Sequence, residues 1–237
     1  MKAIWTILIL SILIFSPLAA SEYDELKDLE DQGIQNADLY YNLGVTYWQL
    51  GQSGMANLYF LRALNLDSAH KPAKENLNYV ISLSQDRELY PQHLFLLRIF
   101  WEAYDYMNLN RTAILTLVLL LISALSLFWL LHYDREKELE LPSLVLGICL
   151  FLLLSSSTIL GVKAYRQAHN KKAVLIQNVA ELRTTADYKA NRVAVIHEAL
   201  ILIVEESKLG WSLVRLPDGS SGWLEDADLK RVMPLGR

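Results

Sequence analysis

The chain has 237 residues, 53% of them hydrophobic, with 22 basic residues, 26 acidic residues and a single cysteine. That apolar share is too high for an ordinary soluble domain, and one cysteine excludes any disulfide within the chain. The net charge of −4 hides a split: residues 22–110 carry 6 basic and 13 acidic side chains, and residues 163–237 carry 12 and 9. Neither part has a basic patch interleaved with aromatics, which argues against nucleic acid as a partner.

The apolar excess falls in three runs, residues 3–15, 112–131 and 143–162. The first follows Lys2, stops at Pro17 and leads into the small residues Ala19, Ala20 and Ser21. It is short for a bilayer span, so residues 1–21 read as a signal peptide cut near Ala20 or Ser21; the alternative is an uncleaved anchor. No cysteine stands directly after the cut, so a lipoprotein is excluded.

Residues 22–90 read as a helical repeat domain. An acidic segment, 22–32, places Leu26 and Leu29 on one side of a first helix. In residues 37–70, Tyr40, Leu43, Gly44 and Tyr47 fall at helical spacing, Gly51 breaks the helix, and Ala56, Phe60 and Ala63 follow on a second helical face. Two antiparallel helices cross closely only where small residues meet, and Gly44, Ala56 and Ala63 supply them. Period and residue types together make 37–70 one complete tetratricopeptide repeat, a scaffold for binding. A third helix starts at Lys71, with Leu77, Val80 and Ile81 toward the core. Asn42 and Asn76 stand one period apart on successive first helices. Their amides can donate to and accept from a partner's backbone, and Tyr41, Val45 and Gln49 line the same expected surface. The other reading leaves both asparagines merely solvated. Tyr41 and Glu75 stand where a carboxylate clamp would need lysine.

Residues 91–111 hold Phe95, Trp101, Tyr104 and Tyr106 and read as an amphipathic helix along a membrane edge, or as a fourth helix of the repeat domain. The runs 112–131 and 143–162 each approach the ~20 residues that cross a hydrocarbon core. They form a transmembrane hairpin around a cytoplasmic loop at 132–142. Charge bias opposes that orientation, because the loop carries Arg135 and Lys137, whereas Arg111, Lys163, Arg166, Lys171 and Lys172 flank the other end. The leader is taken to govern, placing both soluble domains outside the cytoplasm at the inner membrane.

After a linker at 163–172, the period changes. Short alternating segments separated by Leu209-Gly210 and Pro217-Asp218-Gly219 indicate a barrel of about five strands over 173–237. Gly210-Trp211, Val214-Arg215-Leu216, the Pro217-Asp218-Gly219 turn and Gly222-Trp223 resemble the bacterial SH3-like domain, with Ala180-Glu181-Leu182-Arg183 a looser match to its opening strand. Trp211 and Tyr188 are the expected ligand surface, with Trp223 inside; the alternative is that both tryptophans only pack.

The expected fold is therefore multidomain: an α-helical tetratricopeptide repeat, a transmembrane helical hairpin and a small all-β SH3-like barrel. This order resembles the repeat-bearing E-type family of the bacterial aerotolerance (Bat) operon. The resemblance implies a non-enzymatic membrane component beside partners with von Willebrand A-type domains, in oxidative-stress or envelope functions. The chain's own residues agree on chemistry. Its five histidines are scattered without metal spacing, Cys149 sits inside an apolar run, and no cofactor is expected. Two functions follow: an adaptor for protein partners, or a cell-wall sensor whose SH3-like domain binds peptidoglycan peptide.

Overall fold

A computed structural model describes residues 23–91, 99, 101, 102, 104–132 and 140–233. The expected signal peptide, residues 92–98, 100 and 103 of the membrane-edge helix and residues 133–139 of the loop lie outside the described residues. The chain divides into two compact units. The first combines described residues within 23–66, 70–91 and 171–233; the second holds the long apolar helices.

In the first unit, helix α1 (residues 23–31) lays Tyr23, Leu26 and Leu29 against the repeat core. Helix α2 (Ala37–Gln49) starts where the Asn36 side chain accepts from the Asp38 N–H, a capping bond that satisfies one orphan donor of the first turn. It ends at Gly51, whose φ of +75° lets the Gln52 N–H turn back to the Tyr47 carbonyl. Helix α3 (Ser53–Leu66) crosses α2 so closely that a methyl group on Gly44 would meet the Phe60 ring at 2.6 Å. Phe60, Leu43, Leu58, Ala56 and Ala63 are buried there. A buried side chain of Phe or Leu size contributes about 1.5–3 kcal/mol. Helix α4 (Lys71–Leu83) begins with His70 Nδ1 accepting from the Ala73 N–H and buries Ala73, Leu77 and Val80 on α3.

Seven strands follow: β1 (Lys172–Leu175), β2 (Val179–Arg183), β3 (Arg192–His197), β4 (Ile201–Lys208), β5 (Trp211–Arg215), β6 (Ser221–Glu225) and β7 (Leu229–Arg231). They form one antiparallel sheet ordered β3-β2-β6-β5-β4-β1-β7, open between β3 and β7. Leu175, Leu182, Ile196, Leu202, Val214, Leu224 and Leu229, one from each strand, share a single core. A flat sheet cannot bring both edges to one core, so this one coils, helped by irregularities at Leu182/Arg183 and Val204/Glu206. The sequence reading expected about five strands. Strand β3 matched none of the expected segments, and β1 and β7, four and three residues long, are too short to show an alternating pattern of their own.

Helices and sheet meet through residues far apart in sequence. Gly54 N–H donates to Glu198 Oε1 at 2.7 Å, and the buried Asn57 amide donates to the Ala199 carbonyl at 2.8 Å. Asp86 accepts from the His197 N–H at 2.6 Å and lies 2.9 Å from its ring nitrogen Nδ1. The Ile201 N–H donates to the Tyr90 hydroxyl, whose pKa burial pushes up to about 12. Val174, Ala199 and Val232 complete the helical core. Glu198 thus stands as a carboxylate at the N-terminus of α3, where the helix leaves N–H groups unpaired.

The second unit contains α5 (Leu109–His132) and α6 (Glu140–Ala168), both long and apolar enough to cross a membrane. Their contact is made by small and polar residues: Ser123, Ser126 and Ser156 are buried, and Thr116 Oγ1 lies 2.7 Å from Ser156 Oγ. Hydroxyl pairs of this kind hold helices together where water is absent. Leu121, Leu125, Phe151 and Leu154 stay exposed on the outside. Helix α6 extends through the beginning of the expected linker, to Ala168. At 1.5 Å per residue, its 29 residues run about 43 Å, longer than a hydrocarbon core of about 30 Å. Near its end, Lys163 donates to the carbonyls of Tyr104 and Met107.

Candidate functional site

Helix α3 is sandwiched. The sheet docks along it, from Gly54 and Asn57 to Arg62, which donates to the Val232 carbonyl, while α2 and α4 pack on its other flanks. The α2–α4 surface is consequently free of the chain's own sheet over most of its length. Asn42 and Gln49 are exposed there, Tyr41 and Val45 are half-buried, and Asn76 is half-buried on α4. The Asn76 amide donates to the Tyr41 hydroxyl over a long 3.4 Å, and the Tyr41 ring lies 5.1 Å from His70. The structure therefore brings Tyr41 and Asn76 into contact and leaves the Asn42 amide in solvent.

The same surface includes residues the sequence reading left out. Tyr79 and Leu83 are each 56% exposed, and the Tyr79 ring meets Trp48 edge-on at 5.9 Å. The signal was available in the repeat period. Tyr79 is to α4 what Val45 is to α2, and Leu83 corresponds to Gln49, each pair one period apart. Exposed aromatic and aliphatic groups beside amides suit a protein surface better than a polar solute.

At its lower end the surface deepens into a cleft of about 380 Å³. Trp48, Val80, Leu83 and Val179 supply apolar walls, with Gln85 and His197 at the polar side. Behind α3, Tyr59 and Arg62 donate to the Glu30 carboxylate at 2.7 and 3.0 Å, and Lys27 pairs with it. Burial opposes ionisation of Glu30, but the hydrogen bonds from Lys27 and Tyr59 and the Arg62 charge hold its pKa below the usual carboxylate range. This polar cluster ties α1 to α3 and is structural.

On the sheet, the Tyr188 ring stands edge-on over Trp211 at 5.0 Å. Tyr188 is 65% exposed and Trp211 only 7%. Tyr188 therefore presents the surface and Trp211 supports it from beneath, while Trp223, expected inside, is half-buried in the middle of β6. The Tyr188 hydroxyl donates to Glu225, and Arg183 holds the Tyr188 carbonyl, which fixes the loop between β2 and β3. Among the described residues no three His, Cys, Asp or Glu side chains converge on a possible metal position.

A family model for the tetratricopeptide repeat matches residues 37–70. No curated protein matches the chain. The repeat supports binding of protein partners in general.

Proposed function

We propose that the chain is a non-enzymatic, membrane-held adaptor that binds a protein partner on its α2–α4 surface. The observation that carries this reading is the position of the sheet: it occupies α3 and leaves α2 and α4 open, with Trp48, Tyr79 and Leu83 beside the amides of Asn42, Gln49 and Asn76. The apolar helices lie between two chain segments that fold together, so both ends of the hairpin belong on one side of the bilayer. With the leader, that side is the outer face of the inner membrane. The Bat-type resemblance names von Willebrand A-type proteins as partners and envelope or oxidative stress as setting.

Photo-cross-linking in the full-length membrane protein tests the reading. A photoreactive residue at Gln49 or Tyr79 is expected to give one defined protein adduct, and the same residue at Arg215, on the sheet, is expected to give none. Equal adducts at all three positions, or none at 49 and 79, would overturn it.

The exposed Tyr188 ring favours a second reading, in which the SH3-like domain binds peptidoglycan peptide. Cosedimentation of the detergent-solubilised chain with purified peptidoglycan, abolished by Tyr188→Ala, would support it; indifference to that substitution would remove it.

A further inference from the structure

We infer that the α2–α4 surface continues onto strand β3, and that the partner presents an extended segment that pairs with this edge while placing a large apolar side chain in the cleft beside Trp48. The inference rests on the adaptor reading and names the form of the partner.

Strand β3 ends the sheet, since only β2 pairs with it. The register shows which backbone groups are turned outward. The Glu198 N–H points inward to the Asn178 carbonyl, and the next residue back, His197, sends its N–H outward to Asp86. Antiparallel pairing alternates, so Val195 also directs its N–H and carbonyl outward. His197 has its cap in Asp86; Val195 has none among the described residues. An edge with unpaired backbone groups is a template for another strand.

The side chains extend the same path. Val179, Val193 and Val195 are exposed by 57%, 47% and 39%. Val195 lies opposite Glu181 and Val179 opposite His197, so Val179 and Val195 are diagonal neighbours on one face. Val179 also lines the cleft with Trp48 and Leu83. A continuous apolar strip therefore runs from the repeat surface through the cleft and along β3. Backbone donors and acceptors beside valines call for an extended peptide rather than a helix or a lipid.

Charge gives the segment its polarity. Exposed Lys189 and Arg192, the latter paired with Glu181, stand at the start of β3, whereas Glu198 lines the cleft and Asp86 holds His197 beside it. A complementary strand running antiparallel carries its large apolar residue first and acidic residues last. A second copy of the chain is the weaker occupant. The six residues of β3 span only about 20 Å at ~3.3 Å each, and one strand edge falls well short of the roughly 1,200 Å² that a stable interface buries.

The test uses full-length protein in detergent micelles and a fluorescein-labelled peptide, Trp-Thr-Val-Thr-Val-Asp-Asp, read by anisotropy. Saturable binding is expected, with at least tenfold loss for the same peptide N-methylated at its valines and for one ending in Lys-Lys. Val195→Pro removes the outward N–H without touching the ladder to β2, and it is expected to cost at least tenfold while the unfolding midpoint stays near wild type. If Val195→Pro weakens the fold, the N-methylated peptide on wild-type protein decides. Equal binding of the methylated peptide would overturn the strand pairing. So would a dimer that Val195→Pro dissolves and that excludes the peptide. Persistent cross-linking at Gln49 and Tyr79 alongside either result would leave the adaptor reading standing and remove this inference alone.

Discussion

Gly54→Ala separates two opposed physical effects. Alanine is the better helix former by about 1 kcal/mol in a helix interior, so local propensity favours the substitution in the first turn of α3. The structure forbids it. A methyl group at residue 54 would stand 2.5 Å from the Leu175 carbonyl oxygen and 3.1 Å from Ile176 Cα, both backbone atoms of the sheet. Relief requires α3 to withdraw by roughly 1 Å, given favourable contact distances of about 3.5 Å. Such a shift stretches the 2.7 Å bond from Gly54 to Glu198 and the 2.8 Å bond from Asn57 to Ala199 past useful length. Overpacking costs about 1–3 kcal/mol, and two weakened bonds add about 0.5–1.5 kcal/mol each. Set against the propensity gain, Gly54→Ala should destabilise by about 1–5 kcal/mol. Urea unfolding of the full-length protein in micelles, followed by tryptophan fluorescence, gives the magnitude. Amide exchange at Leu175 and Ala199 gives the place. A double-mutant cycle with Glu198→Ala should show coupling, because the first change already spoils the bond the second removes. Unchanged or increased stability would refute the claim that helices and sheet are locked at this glycine.

Leu209 lies in a two-residue hairpin turn with φ +51°, followed by Gly210 at +83°. Leucine is ill suited to that left-handed conformation, so Leu209→Asn should stabilise by about 0.5–1 kcal/mol in the same assay. Glu30 has a pKa lowered in the folded state, so its stabilisation is full above the unfolded carboxylate value and lost as pH falls through the folded one. Glu30→Gln should therefore be less stable than wild type at neutral pH, with the difference shrinking below about pH 4.3; a constant difference would contradict the assignment. In a Cys149→Ser background, Glu25→Cys and Asp218→Cys should react together or be protected together against an impermeant thiol reagent on intact cells. Opposite outcomes would contradict a shared compartment.

The repeat was legible because its information is local. Gly44, Ala56, Ala63 and Phe60 recur at helical spacing within 34 residues, and the structure packs them as that spacing requires. The apolar helices were legible by length and composition. The joint between repeat and sheet was not. Gly54 and Glu198 are 144 residues apart, and Asp86 and His197 are 111 apart. Gly54 in sequence looks like a poor helix residue after a turn, and nothing nearby reveals the carbonyl that excludes a side chain. The tryptophans misled for a related reason. Both follow glycine, yet Trp211 is covered by Tyr188 from a distant loop, and only the assembled sheet distinguishes it from Trp223. Tyr79 and Leu83 could have been found by carrying the repeat period from Val45 and Gln49 onto α4.

The adaptor account stands most directly on the affinity of the partner captured at Gln49 and Tyr79, measured with purified full-length protein in nanodiscs. Asn42→Ala and Asn76→Ala combined with Tyr79→Ala should weaken that affinity at least tenfold while the unfolding midpoint is kept, and Arg215→Ala on the sheet should leave it unchanged. Undiminished affinity in the triple variant, or an equal loss from Arg215→Ala, would contradict the account.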